Sequence, residues 1–196
     1  MLETLTEEVL QFTRIENGLT HRQEEEIALD DMLHRCMRVA GPQASRENIS
    51  LHHDIPVSLL LRCDPTLMGR AIGNLITNSI RYSPEGSSVL VAARLSRGEC
   101  VISVSDQGCG IPIDEQEKVW EPYMRSRLTQ HEKTGTGLGL PLVRQIMQIH
   151  DGRSWLTSTV GQGTIVRLCL PANRVRMNPH EHDAPDRHAS EHQRAA

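Results

Sequence analysis

"SVSDQGCGIP", residues 103–112, ends an alternating run on a carboxylate and then gives up two side chains. Val101, Ser103 and Ser105 alternate with Ile102, Val104 and Asp106, the period of a half-buried strand. Gly108 and Gly110 follow, then a proline. A carboxylate at a strand end can accept a hydrogen bond from an exocyclic amine. Glycines just after it let backbone approach a flat ring closely. Adenine offers an N6 amine on that edge, whereas guanine offers an acceptor that a carboxylate repels. A mismatched pair of buried acceptors costs about 1–3 kcal/mol, enough for selectivity. An ordinary Asp-x-Gly turn has the same letters, so the stretch is read with its surroundings.

Bulk properties exclude several classes. The chain has 196 residues, 38% of them hydrophobic, which allows one well-cored domain with something left over. Net charge is −4, with one Phe, two Tyr and two Trp. Neither the basic surplus nor the stacking residues of a nucleic-acid binder are present. Cys36, Cys63, Cys100, Cys109 and Cys169 are odd in number and form no C-x-x-C pair. That argues against a disulfide framework or a zinc site and for small apolar residues in a reducing compartment. No apolar run reaches the ~18 residues of a membrane span. "MLETLTEEVL" at the start is acidic and lacks the basic region of a signal peptide.

Periodicity outlines the elements. Leu2, Leu5, Val9, Phe12 and Ile15 make one apolar helical stripe over 1–17, stopped by Gly18. The stripe needs cover, from the body of the domain or from a second chain. Residues 48–55 and 57–63 read as short strands around Pro56. Asp64 and Pro65 open a helix to Tyr82, with Leu67, Ile72, Leu75, Ile76 and Ile80 as its buried face. Residues 88–95 and 100–106 pair through a turn at Ser96–Gly98. Asp114 is expected to cap a short helix to Trp120, with Glu117 completing the cap. Residues 121–137 form a long polar loop, of the kind often tied to function. A buried helix covers 138–150, and a hairpin covers 154–160 and 163–170. From 174 the chain is polar and expected to be disordered. Helices and mostly antiparallel strands without βαβ alternation predict an α+β fold, a two-layer sandwich whose sheet is covered by helices on one face.

Two further constellations carry chemistry. Asn74 and Asn78 are four apart on the predicted helix, so both amides face one way. An amide oxygen suits Mg²⁺ whose shell is completed by phosphates and waters; two amides pinned to neighbouring backbone are the other reading. "GTGLGL" (135–140) opens the last helix, where bare N–H groups and a helix N-terminus make an anion site, with Lys133 adding charge; a glycine hinge is the other reading. There is no P-loop, and Leu140 stands where a Rossmann fingerprint needs its third glycine.

In this order the set resembles the ATP-binding catalytic domain of sensor histidine kinases, within the gyrase/MutL-like (GHKL, Bergerat-fold) superfamily, over about residues 22–172. Residues 1–21 then resemble the end of a dimerisation hairpin and 173–196 are a tail. "NLITNSIRYSP" is similar to the family's N box. The resemblance makes Asn78 the Mg²⁺ ligand, Asn74 a phosphate-side partner, and Arg81 and Tyr82 nucleotide contacts. Asn74, Asn78 and Arg81 are the expected catalytic residues. "DQGCG" is similar to the first glycine box, with Asp106 on the adenine amine and Gly108, Gly110 and Ile111 beside it. "VWEPYMRSR" is similar to the F box, with Trp120 and Tyr123 where phenylalanines are usual. "GTGLGLPLV" is similar to the second glycine box, so Gly135, Thr136, Gly137, Leu138, Gly139 and Leu140 are expected over the phosphates with Lys133. Thr164 is expected near the base.

The resemblance implies ATP and Mg²⁺ as ligands. Superfamily members that hydrolyse ATP carry a glutamate four residues before the metal-binding asparagine. Asn74 stands there, and an amide takes no proton at neutral pH. Slow hydrolysis is expected, with the γ-phosphoryl passed to a histidine on a dimerisation hairpin and then to a response regulator. No histidine here has the family's phosphoacceptor context, so the chain is expected to begin after that segment. The resemblance further implies a homodimer, a cytoplasmic location and no nucleic-acid partner. A regulatory nucleotide-binding module and a gyrase-type ATPase are the alternatives.

Overall fold

The computed structural model describes residues 9, 10, 12, 13, 15, 22–55, 58–129 and 135–179. Its elements are β1 (Glu25–Ala28), α1 (Leu29–Arg46), β2 (Ser50–Asp54), β3 (Leu59–Cys63), α2 (Pro65–Tyr82), β4 (Ser88–Ser96), β5 (Glu99–Ser105), α3 (Gly139–Ile149), β6 (Arg153–Thr159), β7 (Gly163–Leu170) and β8 (Val175–Met177). The main sheet runs β2-β4-β5-β7-β6, with β2 parallel to β4 and the rest antiparallel. A second, antiparallel sheet runs β1-β3-β8. The fold is the expected α+β two-layer sandwich.

Helix α2 is its spine. It lies between α1 and α3 and packs on β4 and β5, while α3 packs on β6 and β7. The face expected from sequence is buried, with Leu67, Ile72, Leu75, Ile76 and Ile80 at 3% exposure or less. Val89 and Val91 of β4, Ile102 and Val104 of β5, and Leu142, Val143 and Ile146 of α3 belong to the same core. Each such side chain contributes about 1.5–3 kcal/mol on burial. Asp64 caps α2 as its sequence demands: Oδ1 accepts from the backbone N–H of Thr66 and of Leu67, both at 3.0 Å.

Several expectations need correction. Strands expected at 48–55 and 57–63 exist but join different sheets, β2 pairing with β4 and β3 with β1 and β8. The tail expected to be disordered begins with structure. Val175–Met177 pairs with Leu59–Leu61, and Arg174 is buried because its guanidinium meets Glu24 at 3.0 Å and Asp151 at 2.8 Å. Residues from 180 lie outside the described residues. No α-helix forms over Asp114–Trp120; only Lys118–Trp120 makes a 3₁₀ turn. Asp114, the expected cap, and its neighbour Glu115 bind the following loop instead. Asp114 pairs with Arg127 at 2.8 Å and Glu115 accepts from Ser126 Oγ at 2.6 Å. Of the first helix, positions 9, 10, 12, 13 and 15 are described and helical, with Phe12 and Ile15 buried in the domain's own apolar cluster; Leu2, Leu5 and Gly18 lie outside the described residues.

His150, at the end of α3, is completely buried. Its Nε2 accepts the backbone N–H of Asp64 at 2.9 Å, and its Nδ1 meets Ile146 O at 2.8 Å. The ring is therefore neutral with its proton on Nδ1. Burial holds its pKa below the ordinary 6.5. A depressed histidine stabilises the fold above its unfolded pKa, and that contribution is lost as pH falls through the folded value. Thermal melts should therefore show a midpoint that falls on acidification below about pH 6.5. A His150→Gln variant should lose much of that dependence. His150→Ala, which leaves the Asp64 N–H without an acceptor, should cost about 2–4 kcal/mol.

Candidate functional site

One cavity of about 580 Å³ opens between α2, the loop after β5, residues 124–129 and 135–137, the start of α3 and β7. Its size suits a single small-molecule ligand. At its base stands Asp106. Oδ1 accepts from the backbone N–H of Gly108 at 2.9 Å and of Thr164 at 3.0 Å. Oδ2 accepts from Ser79 Oγ at 3.1 Å. Burial pushes the carboxyl pKa above its ordinary value, against the pull of those three hydrogen bonds. Thr164 is tied in turn by its hydroxyl to Ser158 Oγ at 2.8 Å.

Asn74 and Asn78 line the same cavity. Neither amide hydrogen-bonds to a described residue, so the reading in which both pin the helix to backbone does not hold. Gly139, the first residue of α3, lies against Asn78: a Cβ there would stand 3.1 Å from its Nδ2. Helix α3 begins without a side-chain cap, which leaves its first N–H groups for an anion. Arg81 and Tyr82 close the other side. A Cβ on Gly135 would lie 3.5 Å from Arg81 Nη1 and 3.6 Å from the Tyr82 hydroxyl.

Gly110, Ile111, Thr136, Gly137 and Leu140 also line the cavity, with Thr164. Three expected residues do not. Leu138 is buried in the core and serves as the residue before α3. Tyr123 is 65% exposed, and it acts through its backbone N–H, which donates to Gly137 O at 3.0 Å. Gly108 contributes an N–H to Asp106 but no wall. Lys133 lies outside the described residues.

The first glycine pair is packed against backbone. A Cβ on Gly108 would come 2.6 Å from Tyr82 O, and one on Gly110 would come 2.2 Å from Thr159 O. Both positions let chain cross chain where a side chain has no room. Sequence reasoning left out Ser79, Cys109, Met124, Arg125, Ser126 and Thr129, which also line the cavity. Ser79 carried a signal: a hydroxyl set between Ile76 and Ile80 on a buried face. Trp120, in the F-box position, is buried with the Arg144 guanidinium 4.7 Å over its ring.

Residues 63–174, more than half of the chain, match the family described as histidine kinase-, DNA gyrase B- and HSP90-like ATPase. The chain belongs to this family. It is 32% identical over 177 residues to the adaptive-response sensory kinase SasA of Synechocystis sp., covering 89% of this chain and 46% of that protein. It is 32% identical over 171 residues to the alginate biosynthesis sensor protein KinB of Pseudomonas aeruginosa, covering 87% of this chain and 28% of that one. The chain thus spans less than half the length of these curated relatives. Among solved structures it is similar to the mycobacterial sensor histidine kinase MprB, with a TM-score of 0.69 and 26% identity over 75% of this chain and 97% of that one. The ATPase-family domain therefore coincides with the part of the chain that holds the cavity.

Gly110 has a positive φ of 72° as well as no room for a Cβ. Gly110→Ala should destabilise this ATPase-family domain by about 2–4 kcal/mol through backbone strain and the Thr159 clash, read as a lower midpoint in urea unfolding.

Proposed function

We propose that this chain is the ATP-binding kinase domain of a two-component sensor histidine kinase. It would pass the γ-phosphoryl group of ATP to a histidine on a dimerisation hairpin of the same or a partner subunit, and thence to a response regulator. The observation that carries the reading is the convergence of Asp106, Asn78 and the uncapped start of α3 on one cavity. The base end holds an acceptor for an exocyclic amine. The other end holds amides and bare N–H groups suited to a chelated polyphosphate.

The donor set fits Mg²⁺ held in the way that cation prefers, by one protein oxygen with phosphates and waters completing the shell. Asn78 would hold it, and the bound cation would supply charge neutralisation at the phosphates. Asn74 is the phosphate-side partner, and Arg81 and Arg125 bring positive charge to the same cavity. Asp106 is the sole carboxylate among the described residues that line it, and no histidine does. Asp106 is already engaged by three donors. Among the described residues that line the cavity none is a free base to activate water, which favours a nucleophile brought from outside, with positioning and charge neutralisation doing the catalysis.

Among the described residues no helix is long and apolar enough to cross a membrane. We place this portion in the cytoplasm, dimeric through a preceding helical hairpin, in keeping with the named sensory kinases it resembles.

Incubation of the chain with γ-labelled ATP and Mg²⁺, with and without an added histidine-bearing helical hairpin, tests the reading. Label on the hairpin and little free phosphate is the expected result. Steady phosphate release without transfer would favour a hydrolysing clamp, and binding without either would favour a regulatory module. Asp106→Asn should weaken ATP binding at least ~10-fold in calorimetry, because a carboxylate acceptor contributes about 1.5–3 kcal/mol; the melting midpoint should stay close to that of the unaltered chain.

A further inference from the structure

Ser79 stands out on α2. Two other hydroxyls of that region satisfy themselves locally, as helical hydroxyls do: Thr77 Oγ1 donates to Gly73 O at 2.9 Å and Ser83 Oγ to Ser79 O at 2.6 Å. Ser79 instead reaches off its helix to Asp106 Oδ2, 27 residues away in the chain, at 3.1 Å. It is 4% exposed, between Ile76 and Ile80. Alanine would suit the helix better by a few tenths of a kcal/mol, and a buried hydroxyl with no task is a cost.

We infer that Ser79 is a positioning residue for nucleotide selection, holding Asp106 so that the carboxylate shows the cavity a single free acceptor. The inference rests on the nucleotide reading above. Each carboxylate oxygen has two lone pairs. Both on Oδ1 are taken, by the N–H groups of Gly108 and Thr164. One on Oδ2 is taken by Ser79, which leaves one. An adenine amine needs one acceptor. A guanine edge offers either its O6 acceptor, which the carboxylate repels, or two adjacent donors, N1–H and N2–H, which need two free acceptor sites side by side. The second is withheld so long as the Ser79 hydroxyl occupies it. Ser79 thus excludes the guanine orientation that the charge of Asp106 alone would admit.

The same hydrogen bond favours the ionised form of Asp106. It opposes the upward push of burial, together with the Gly108 and Thr164 amides. No charged side chain contributes to that balance, although Arg81 and Arg125 share the cavity and Tyr82 lines it. Since Oδ1 faces two N–H donors, a proton arriving on Asp106 goes to Oδ2 and occupies the acceptor that the base needs.

The test is calorimetric titration of the unaltered chain and of Ser79→Ala with Mg·ATP and with Mg·GTP, repeated from pH 8 down to the acid limit of the fold. Three results are expected of the variant. Its ATP affinity is roughly 3- to 10-fold lower, less than the loss on removing the carboxylate, because the acceptor stays and only its support is gone. Its preference for ATP over GTP shrinks by more than the loss in ATP affinity alone, because GTP binding improves. Its ATP binding fails at a higher pH than that of the unaltered chain; both proteins meet the same ligand, so the ligand's own titration cancels. A purely structural serine would leave the acid limb where it was. An unchanged ATP-to-GTP ratio together with an unmoved acid limb overturns the inference while leaving the nucleotide reading intact. Failure of the unaltered chain to bind ATP overturns that reading, and this inference with it.

Discussion

Asp64 is the point on which the rest of the structure turns. Its Oδ1 caps α2, its Oδ2 accepts the backbone N–H of Gln23 at 3.0 Å, and its own N–H is held by the neutral ring of His150. One short residue thus joins the start of α2, the end of α3 and the segment that enters the domain. The joint is reinforced by charge. Arg174 bridges Glu24 and Asp151, and Arg22 donates to Ile149 O at the end of α3. Each exposed pair is worth little in water, but Arg174 is buried, so its partners are needed. The two helices fixed here are the two that carry the polar groups of the cavity. Their relative position, and hence the distance between Asn78 and the start of α3, is set at the far end from the cavity.

The cavity shows a consistent use of backbone. Asp106 is held by two main-chain N–H groups, the loop at Gly135–Gly137 presents backbone, and α3 begins uncapped. Among the described residues that line it, the charged and amide side chains are two amides, one acid and two arginines, and the other polar groups are hydroxyls and a thiol. Under the proposed function, a site of this kind holds a reactive anhydride through charge and shape, and no described side chain beside the start of α3 is a base that would spend it on water.

How much of this was written in the sequence depends on the range of the interaction. Helix α2 and the hairpins β4–β5 and β6–β7 follow from periodicity and caps within a few residues. Helix α1 does not announce itself, because Gly41-Pro42 interrupts the pattern and half of its buried face is Cys36, Ala40 and Ala44. Strands β1 and β8 are short and owe their existence to β3, more than a hundred residues from β8. Asp114 has the letters of a cap, and only the arrival of Arg127 from the next loop diverts it. In the site, Asn74, Asn78 and Asp106 were legible as types with a chemical reason for their spacing. The glycines of "DQGCG" were legible as necessary but for a reason seen only in three dimensions, the backbone of Tyr82 and of Thr159. Ser79 was legible only as a hydroxyl on a buried face; its partner was not, because a serine in a helix has a cheap local acceptor and nothing in the sequence says that this one declines it.

That last residue shows how one helix can serve two recognition tasks. Asn74, Asn78 and Tyr82 fall at steps of four and share a face of α2, while Ser79 stands about 100° round the helix from Asn78. The rotation separates the two asparagines, which line the cavity beside α3, from the hydroxyl that reaches Asp106. Because both sets ride on one rigid helix, capped by Asp64, the base pocket and the phosphate pocket cannot drift apart without breaking hydrogen bonds within α2. Under the proposed function, a nucleotide that satisfies Asp106 is held in register with Asn78, and one that does not is misplaced at both ends. Selectivity at the base then acts on the geometry of transfer as well as on affinity, since misplacement of a reacting group by even about 1 Å can cost two orders of magnitude in rate.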